Sequence, residues 1–185
     1  MSDVRILASG LGFPEGPVAM ADGSVILTEI RNGRCSRVTA DGKVSVFSAN
    51  GGGPNGLAVG PDGALYCCNN GGSRYVEGKS MGQGPHPDYK FGWIERLDPK
   101  TGKATVLYTE CDGHRLSAPN DLVFDTAGGF YFTDLGSAMP AIATMAASTM
   151  RGRTARRSSA SSIRSSAPMA AAFPRTARCS TSPTP

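Results

Sequence analysis

Three short elements place a carboxylate and two carboxamides at the same point of a recurring frame: Pro14-Glu15-Gly16-Pro17-Val18, Pro54-Asn55-Gly56-Leu57-Ala58-Val59 and Pro119-Asn120-Asp121-Leu122-Val123-Phe124. Glutamate and asparagine oxygens are hard donors, suited to calcium, magnesium or manganese and tolerable for zinc. Each residue also has a plainer use. Glu15, taken alone between Pro14 and Gly16, reads as a solvated turn residue, and asparagine ahead of a strand often bonds its own backbone. Recurrence in register favours a ligand role for Glu15 and Asn120 and leaves Asn55 open between pocket wall and turn. His86 and His114 lie far apart in the chain without other ligands nearby, so neither is given a catalytic role. Asp121 and Asp134 read as residues that hold hairpin ends by hydrogen bonds.

The elements that must position these residues are strands. Each unit runs from the proline and its polar neighbour into an apolar strand, through a glycine turn (Asp22-Gly23, Asp62-Gly63, Gly128-Gly129), and into a second apolar strand. The prolines stand 40 and then 65 residues apart, and the extra length of the second interval falls in a Gly-rich stretch. Repeats of several short strands at this spacing mark β-propeller blades. The pattern predicts a first blade of strands over 18–20, 24–28, 34–39 and 43–47, turning at Asn32-Gly33 and Asp41-Gly42. A second blade follows over 57–59, 64–68, 91–97 and 104–109. A third starts at Asn120 and has two strands, 122–124 and 130–132, around the Gly-Gly turn. Val4 to Leu11 is expected to be an outer or closing strand. The loop from Asn69 to Lys90, containing Tyr75, His86 and Tyr89, is either a functional lid or disordered.

Charge divides the chain at Gly136. Residues 1–136 hold 12 basic and 15 acidic groups, whereas residues 137–185 carry seven arginines and no Asp, Glu or Lys. The net +4 therefore belongs to the tail. An acid near the N-terminus and no apolar run behind it argue against an export signal, and no window is long enough for a membrane span. A cytoplasmic location is expected, with the five cysteines as buried or idle thiols. Cys67 and Cys68, adjacent on one strand, should point to opposite faces.

Residues 137–185 are mostly Ala, Ser, Arg, Pro, Thr and Met, with one Phe, one Cys, no Tyr or Trp and neither strand nor helix period, which reads as a disordered basic arm. The genetic code offers another reading. With one base lost near codon 137, codons built from the last base of each present codon and the first two of the next make Pro168 to Pro185 compatible with N-G-C-G-L-S-P-D-G-K-V-L-Y-V-A-D-T. That string is a further Asn-Gly, strand, Pro-Asp-Gly turn and strand. Third bases are free in this exercise and the other two are not. The expectation is a frameshift. The tail's arginines have no aromatic interleaving, so no nucleic-acid partner is expected.

The units Phe13-Pro14-Glu15-Gly16-Pro17, Pro54-Asn55-Gly56-Leu57 and Pro119-Asn120-Asp121-Leu122-Val123-Phe124-Asp125 with Gly129-Phe130-Tyr131-Phe132-Thr133-Asp134 resemble the senescence marker protein, gluconolactonase and luciferin-regenerating enzyme family over Leu11 to Gly136. The resemblance implies an all-β fold, a partial β-propeller with about half of the six four-stranded antiparallel blades, followed by a disordered tail. It implies a metal-dependent lactone hydrolase with one divalent cation on the propeller axis, calcium first, with magnesium, manganese or zinc also accommodated. Matched by position, Glu15 and Asn120 are two of four ligands and Asn55 is a pocket-wall residue for a lactone substrate or a turn residue. A later Asn would be the one encoded out of frame at Pro168 and Met169. The late Asp, which also serves such proteins as general base, would lie past the end of the chain, so no catalytic residue is assigned here. On this reading the chain as written is an inactive fragment that folds poorly. The competing reading is a non-enzymatic propeller that binds a small ligand or protein on its axial face.

Overall fold

In a computed structural model of the chain, residues 4–111 and 113–136 are described together with the strands Ala146–Arg151, Thr154–Ser158 and Thr176–Ala177. The described residues contain no helix. The first sheet is β1 (Pro14–Ala19), β2 (Val25–Glu29), β3 (Arg34–Val38) and β4 (Val44–Ser48), antiparallel and in chain order. The second repeats it as β5 (Pro54–Val59), β6 (Leu65–Asn69), β7 (Trp93–Leu97) and β8 (Ala104–Tyr108). A two-residue ribbon, β9 (Glu110–Cys111) with β10 (His114–Arg115), leads to the third. That sheet is β11 (Pro119–Phe124), β12 (Phe130–Asp134), β13 (Ala146–Arg151), β14 (Thr154–Ser158) and β15 (Thr176–Ala177). These are successive blades of a propeller.

The blades are joined face to face by their alternating apolar residues. Ile26, Cys35, Leu57, Leu65, Cys67 and Leu97 form one buried cluster between the first and second blades. Cys68, Ile94, Tyr108, Leu116, Leu122, Phe130 and Phe132 belong to another between the second and third. Strand β6 serves both, sending Cys67 one way and Cys68 the other, as the two-residue period of a strand requires. Burying each of the large side chains stabilises the stack by about 1.5–3 kcal/mol. Tyr66, Phe124 and Phe130 add edge and tilted ring contacts at centroid distances of 4.9 to 5.9 Å.

Several sequence expectations are corrected. The first strand of every blade starts earlier than its apolar run, at the proline, because proline has no N–H to leave unpaired and is tolerated as the opening residue of a strand. A bulge then separates Glu15 from Val18, Pro54 from Leu57 and Pro119 from Leu122. Residues 4–11 are not a strand: Val4 and Ile6 are exposed, and Arg5 Nη2 donates to the carbonyl of Ala40. The third blade does not stop after two strands. The expected disorder of 137–185 falls mostly outside the described residues; within that stretch the backbone pairs β12 with β13, β13 with β14 and β14 with β15. Composition could not exclude this, because the open edge of β12 offers N–H and C=O groups that any extended chain can pair. Cys35, Cys67 and Cys68 are buried free thiols, whereas Cys111 is disulfide-bonded.

Candidate metal and substrate site

Glu15, Asn55 and Asn120 are each the second residue of their blade's first strand, Glu15 at the start of the bulge and Asn55 and Asn120 within it. A bulge bends and re-aims the strand, so the residues at it need not follow the face of the apolar run behind it. The three strands lie side by side. A methyl group placed on Gly16 would stand 2.5 Å from the Asn55 carbonyl oxygen, and one on Gly56 would stand 2.6 Å from the Asn120 carbonyl oxygen and 2.5 Å from the Asp121 Cα. Glycine at both places lets the strands approach this closely. Thr28 Oγ1 donates to the Asn55 carbonyl at 2.6 Å, tying the second strand of the first blade to the first strand of the second.

The side chains meet as well. Asn55 Nδ2 donates to Asn120 Oδ1 at 2.8 Å. The two amides thus bond each other across blades and not their own backbones. An amide oxygen has two lone pairs, so Asn120 Oδ1 can accept this bond and still face a cation. The Glu15 side chain is exposed and makes no hydrogen bond or ion pair among the described residues. A carboxylate and amide oxygens are hard donors of the kind that calcium takes, and Glu15 leaves its strand next to the strand that carries Asn55. Among the described residues no group of three His, Cys, Asp or Glu is placed to hold a metal.

Each of these first strands enters the site through a loop held by a buried acceptor that the sequence reading missed, except at Asp134. The proline of each unit pairs with a residue fifteen positions later: Pro14 with Glu29, Pro54 with Asn69, Pro119 with Asp134. All three acceptors are buried. Glu29 Oε2 accepts from Gly12 N at 2.6 Å, Asn69 Oδ1 from Gly53 N at 2.8 Å, and Asp134 from Ser117 N and Ala118 N at 2.8 and 2.7 Å. The constant spacing was the available signal. Asp134 thus holds a hairpin end as its position suggested.

The carboxylates of the first two blades sit in opposite electrostatic states. Burial pushes the Glu29 carboxyl up, but Arg34 Nε at 2.7 Å, Ser36 Oγ at 2.5 Å, Gly12 N and Asn32 Nδ2 all donate to it and bring it down to about 2. Among the described residues Glu95 has no ion pair. Its burial outweighs the bonds donated by Trp93 Nε1 (2.8 Å), Asn50 Nδ2 (2.7 Å) and Asn69 Nδ2 (3.2 Å), and its carboxyl lies above the ordinary range.

The long loop after β6 stands at the same end of the blades as Glu15, and it is ordered. Arg74 N donates to the Gly84 carbonyl and Gln83 N to the Arg74 carbonyl, and Ser73 bridges Pro85, which makes a short ribbon. Tyr89 Oη donates to the Ser117 carbonyl at 2.8 Å, next to the third blade's entry. His86 is half-exposed beside Asp88 and joins none of the three site residues.

Residues 13–165 match the SMP-30/Gluconolactonase/LRE-like region. A gluconolactonase of Zymomonas mobilis is 28% identical over 145 residues, covering 71% of this chain and 35% of that protein. Among solved structures, a gluconolactonase from Xanthomonas campestris superposes with a TM-score of 0.58 at 21% identity, over 83% of this chain and 56% of its own. A second, described as a putative gluconolactonase, gives 0.58 at 19% identity over 96% and 66%. The chain thus spans about a third of the length of the curated relative and between half and two thirds of the two structures. The two superpositions bear out the propeller fold.

Proposed function

Because the chain belongs to the SMP-30/gluconolactonase/LRE-like family, we propose that the face bearing Glu15, Asn55 and Asn120 is part of a metal-dependent lactone-hydrolysing site. The substrate class is a sugar lactone or a similar cyclic ester. The bond from Asn55 Nδ2 to Asn120 Oδ1 carries the reading, because it joins the entry points of two blades through side chains with no other evident structural duty there. Glu15 enters the same face through the contact of Gly16 with the Asn55 carbonyl.

A divalent cation, calcium by preference, supplies polarisation of the ester carbonyl and stabilisation of the oxyanion when bound. The chain's own groups define what it would meet. Glu15 contributes negative charge and Asn120 an amide oxygen, while Asn55 holds Asn120 in orientation and serves as a pocket-wall residue for the substrate. Glu29, Asn69 and Asp134 fix the loops from which these strands start, so the donors are set before any cation arrives. No described residue is assigned as the proton acceptor.

The test is hydrolysis of gluconolactone, followed as acid release with and without added calcium, by the chain as written and by the protein read with one base restored near codon 137. Calcium-dependent turnover is expected in the frame-restored protein and not in the chain as written. Glu15→Gln and Asn120→Ala are each expected to lower it by about 10²-fold, the scale of losing one transition-state contact. A folded, frame-restored protein without turnover would favour the ligand-binding propeller.

A further inference from the structure

Phe13, two residues ahead of Glu15, has a φ of 58°, and among the described residues it is the one non-glycine in the left-handed region. A bulky side chain pays a steric penalty there, and a residue before proline is restricted further. Such a conformation persists only when its surroundings enforce it. The surroundings here come from the long loop after β6. The Tyr75 ring packs on the Phe13 ring at 6.1 Å, the Arg31 guanidinium lies 4.7 Å over the Tyr75 ring, and Arg31 Nη2 donates to the Lys79 carbonyl at 2.9 Å. Arg31 therefore pins the loop while stacking on the residue that presses against Phe13.

Resting on the reading of Glu15 as a ligand, we propose that Tyr75 is a positioning residue: clamped by Arg31, it holds Phe13 left-handed and thereby sets the direction in which Glu15 leaves the chain. Gly12 is fixed from behind by Glu29, and Pro14 has its φ locked by its ring, so the Phe13 torsions carry much of the freedom between that anchor and Glu15. The backbone records the state of the clamp, because the Phe13 carbonyl accepts from Ile30 N at 3.2 Å and Ile30 is buried.

The left-handed conformation costs an ordinary residue about 1–2 kcal/mol, so an unclamped Phe13 leaves it and the ligand-competent state falls about five- to thirtyfold. The experiment compares the frame-restored protein, taken as wild type, with its Tyr75→Ala, Tyr75→Phe, Phe13→Gly and double Tyr75→Ala, Phe13→Gly variants. It reads the amide exchange rate of Ile30 by NMR and the affinity for calcium alone by calorimetry. Tyr75→Ala is expected to speed Ile30 exchange and weaken calcium binding by that factor. Tyr75→Phe keeps the ring and should match wild type. Glycine adopts φ 58° without penalty, so Phe13→Gly should need no clamp and the double variant should keep near wild-type affinity. An Ile30 rate unchanged in Tyr75→Ala overturns the clamp, whatever calcium does. Faster Ile30 exchange with unchanged calcium affinity overturns its role in positioning Glu15. Wild type that binds no calcium strikes the metal-site reading and the ligand half of this proposal, and the Ile30 rate alone then decides whether Tyr75 clamps Phe13.

Discussion

Replacing Glu29 by Gln tests the buried acceptor that holds the first blade's entry loop. The side chain is fully buried and takes four donors, two on each oxygen. Glutamine keeps one acceptor oxygen, which can serve Gly12 and Asn32, and turns an N–H₂ toward Ser36 and Arg34. The serine hydroxyl can rotate to accept, and Arg34, which is one-third exposed, can swing to water. The charge-assisted bond is lost. A carboxyl held at about 2 against an ordinary 4.5 corresponds to about 3 kcal/mol of stability at neutral pH. Because the folded value lies below the unfolded one, that contribution is complete above about pH 4.5 and is lost as pH falls toward 2. Urea unfolding followed by circular dichroism should show the variant about 3 kcal/mol less stable at pH 7, with the gap cut to less than half at pH 3. Equal stability at pH 7, or a gap of the same size at pH 3, would refute the reasoning.

Three other outcomes follow from the same structure. Gly56→Ala puts a methyl 2.5 Å from the Asp121 Cα, so β5 must move away from β11; a loss of about 2 kcal/mol in urea unfolding is expected, with calcium affinity reduced as the Asn55–Asn120 bond opens. Glu95 behaves oppositely to Glu29: its folded carboxyl titrates above the ordinary value, so its contribution is present below about pH 4.5 and is lost as pH rises through the folded value. The stability of Glu95→Gln relative to wild type should therefore improve as pH rises from 4 to 8 in the same assay, and a constant difference would count against it. Sequencing the gene around codon 137 should show the third-base bias of codons 1–136 displaced by one position through codon 185; normal bias in the present frame would exclude the frameshift.

The blade pattern was legible because strand, glycine turn and strand are local features, and the opposite duties of Cys67 and Cys68 followed from strand period alone. The recurrence of Pro14-Glu15, Pro54-Asn55 and Pro119-Asn120 picked out residues that the fold sets second in their blades' first strands, and it brings the two amides into contact. Where each first strand begins was harder to read, since a bulge at the polar residue breaks the alternation that marks a strand. Glu29 and Asn69 were overlooked for a different reason. A polar residue at a strand end looks like the start of a turn, and only pairing with a proline fifteen residues earlier shows that it is buried. The left-handed Phe13 leaves no trace in the sequence, because it is imposed by Tyr75, which is remote in the chain.

The central claim is that Glu15 and Asn120 face one cation. A crystal structure of the frame-restored protein soaked with manganese tests it through the metal's anomalous signal. One peak within about 2.5 Å of a Glu15 carboxylate oxygen and of Asn120 Oδ1 is the predicted result. A peak bound elsewhere, or a Glu15 carboxylate turned away from the Asn55–Asn120 pair, would contradict it.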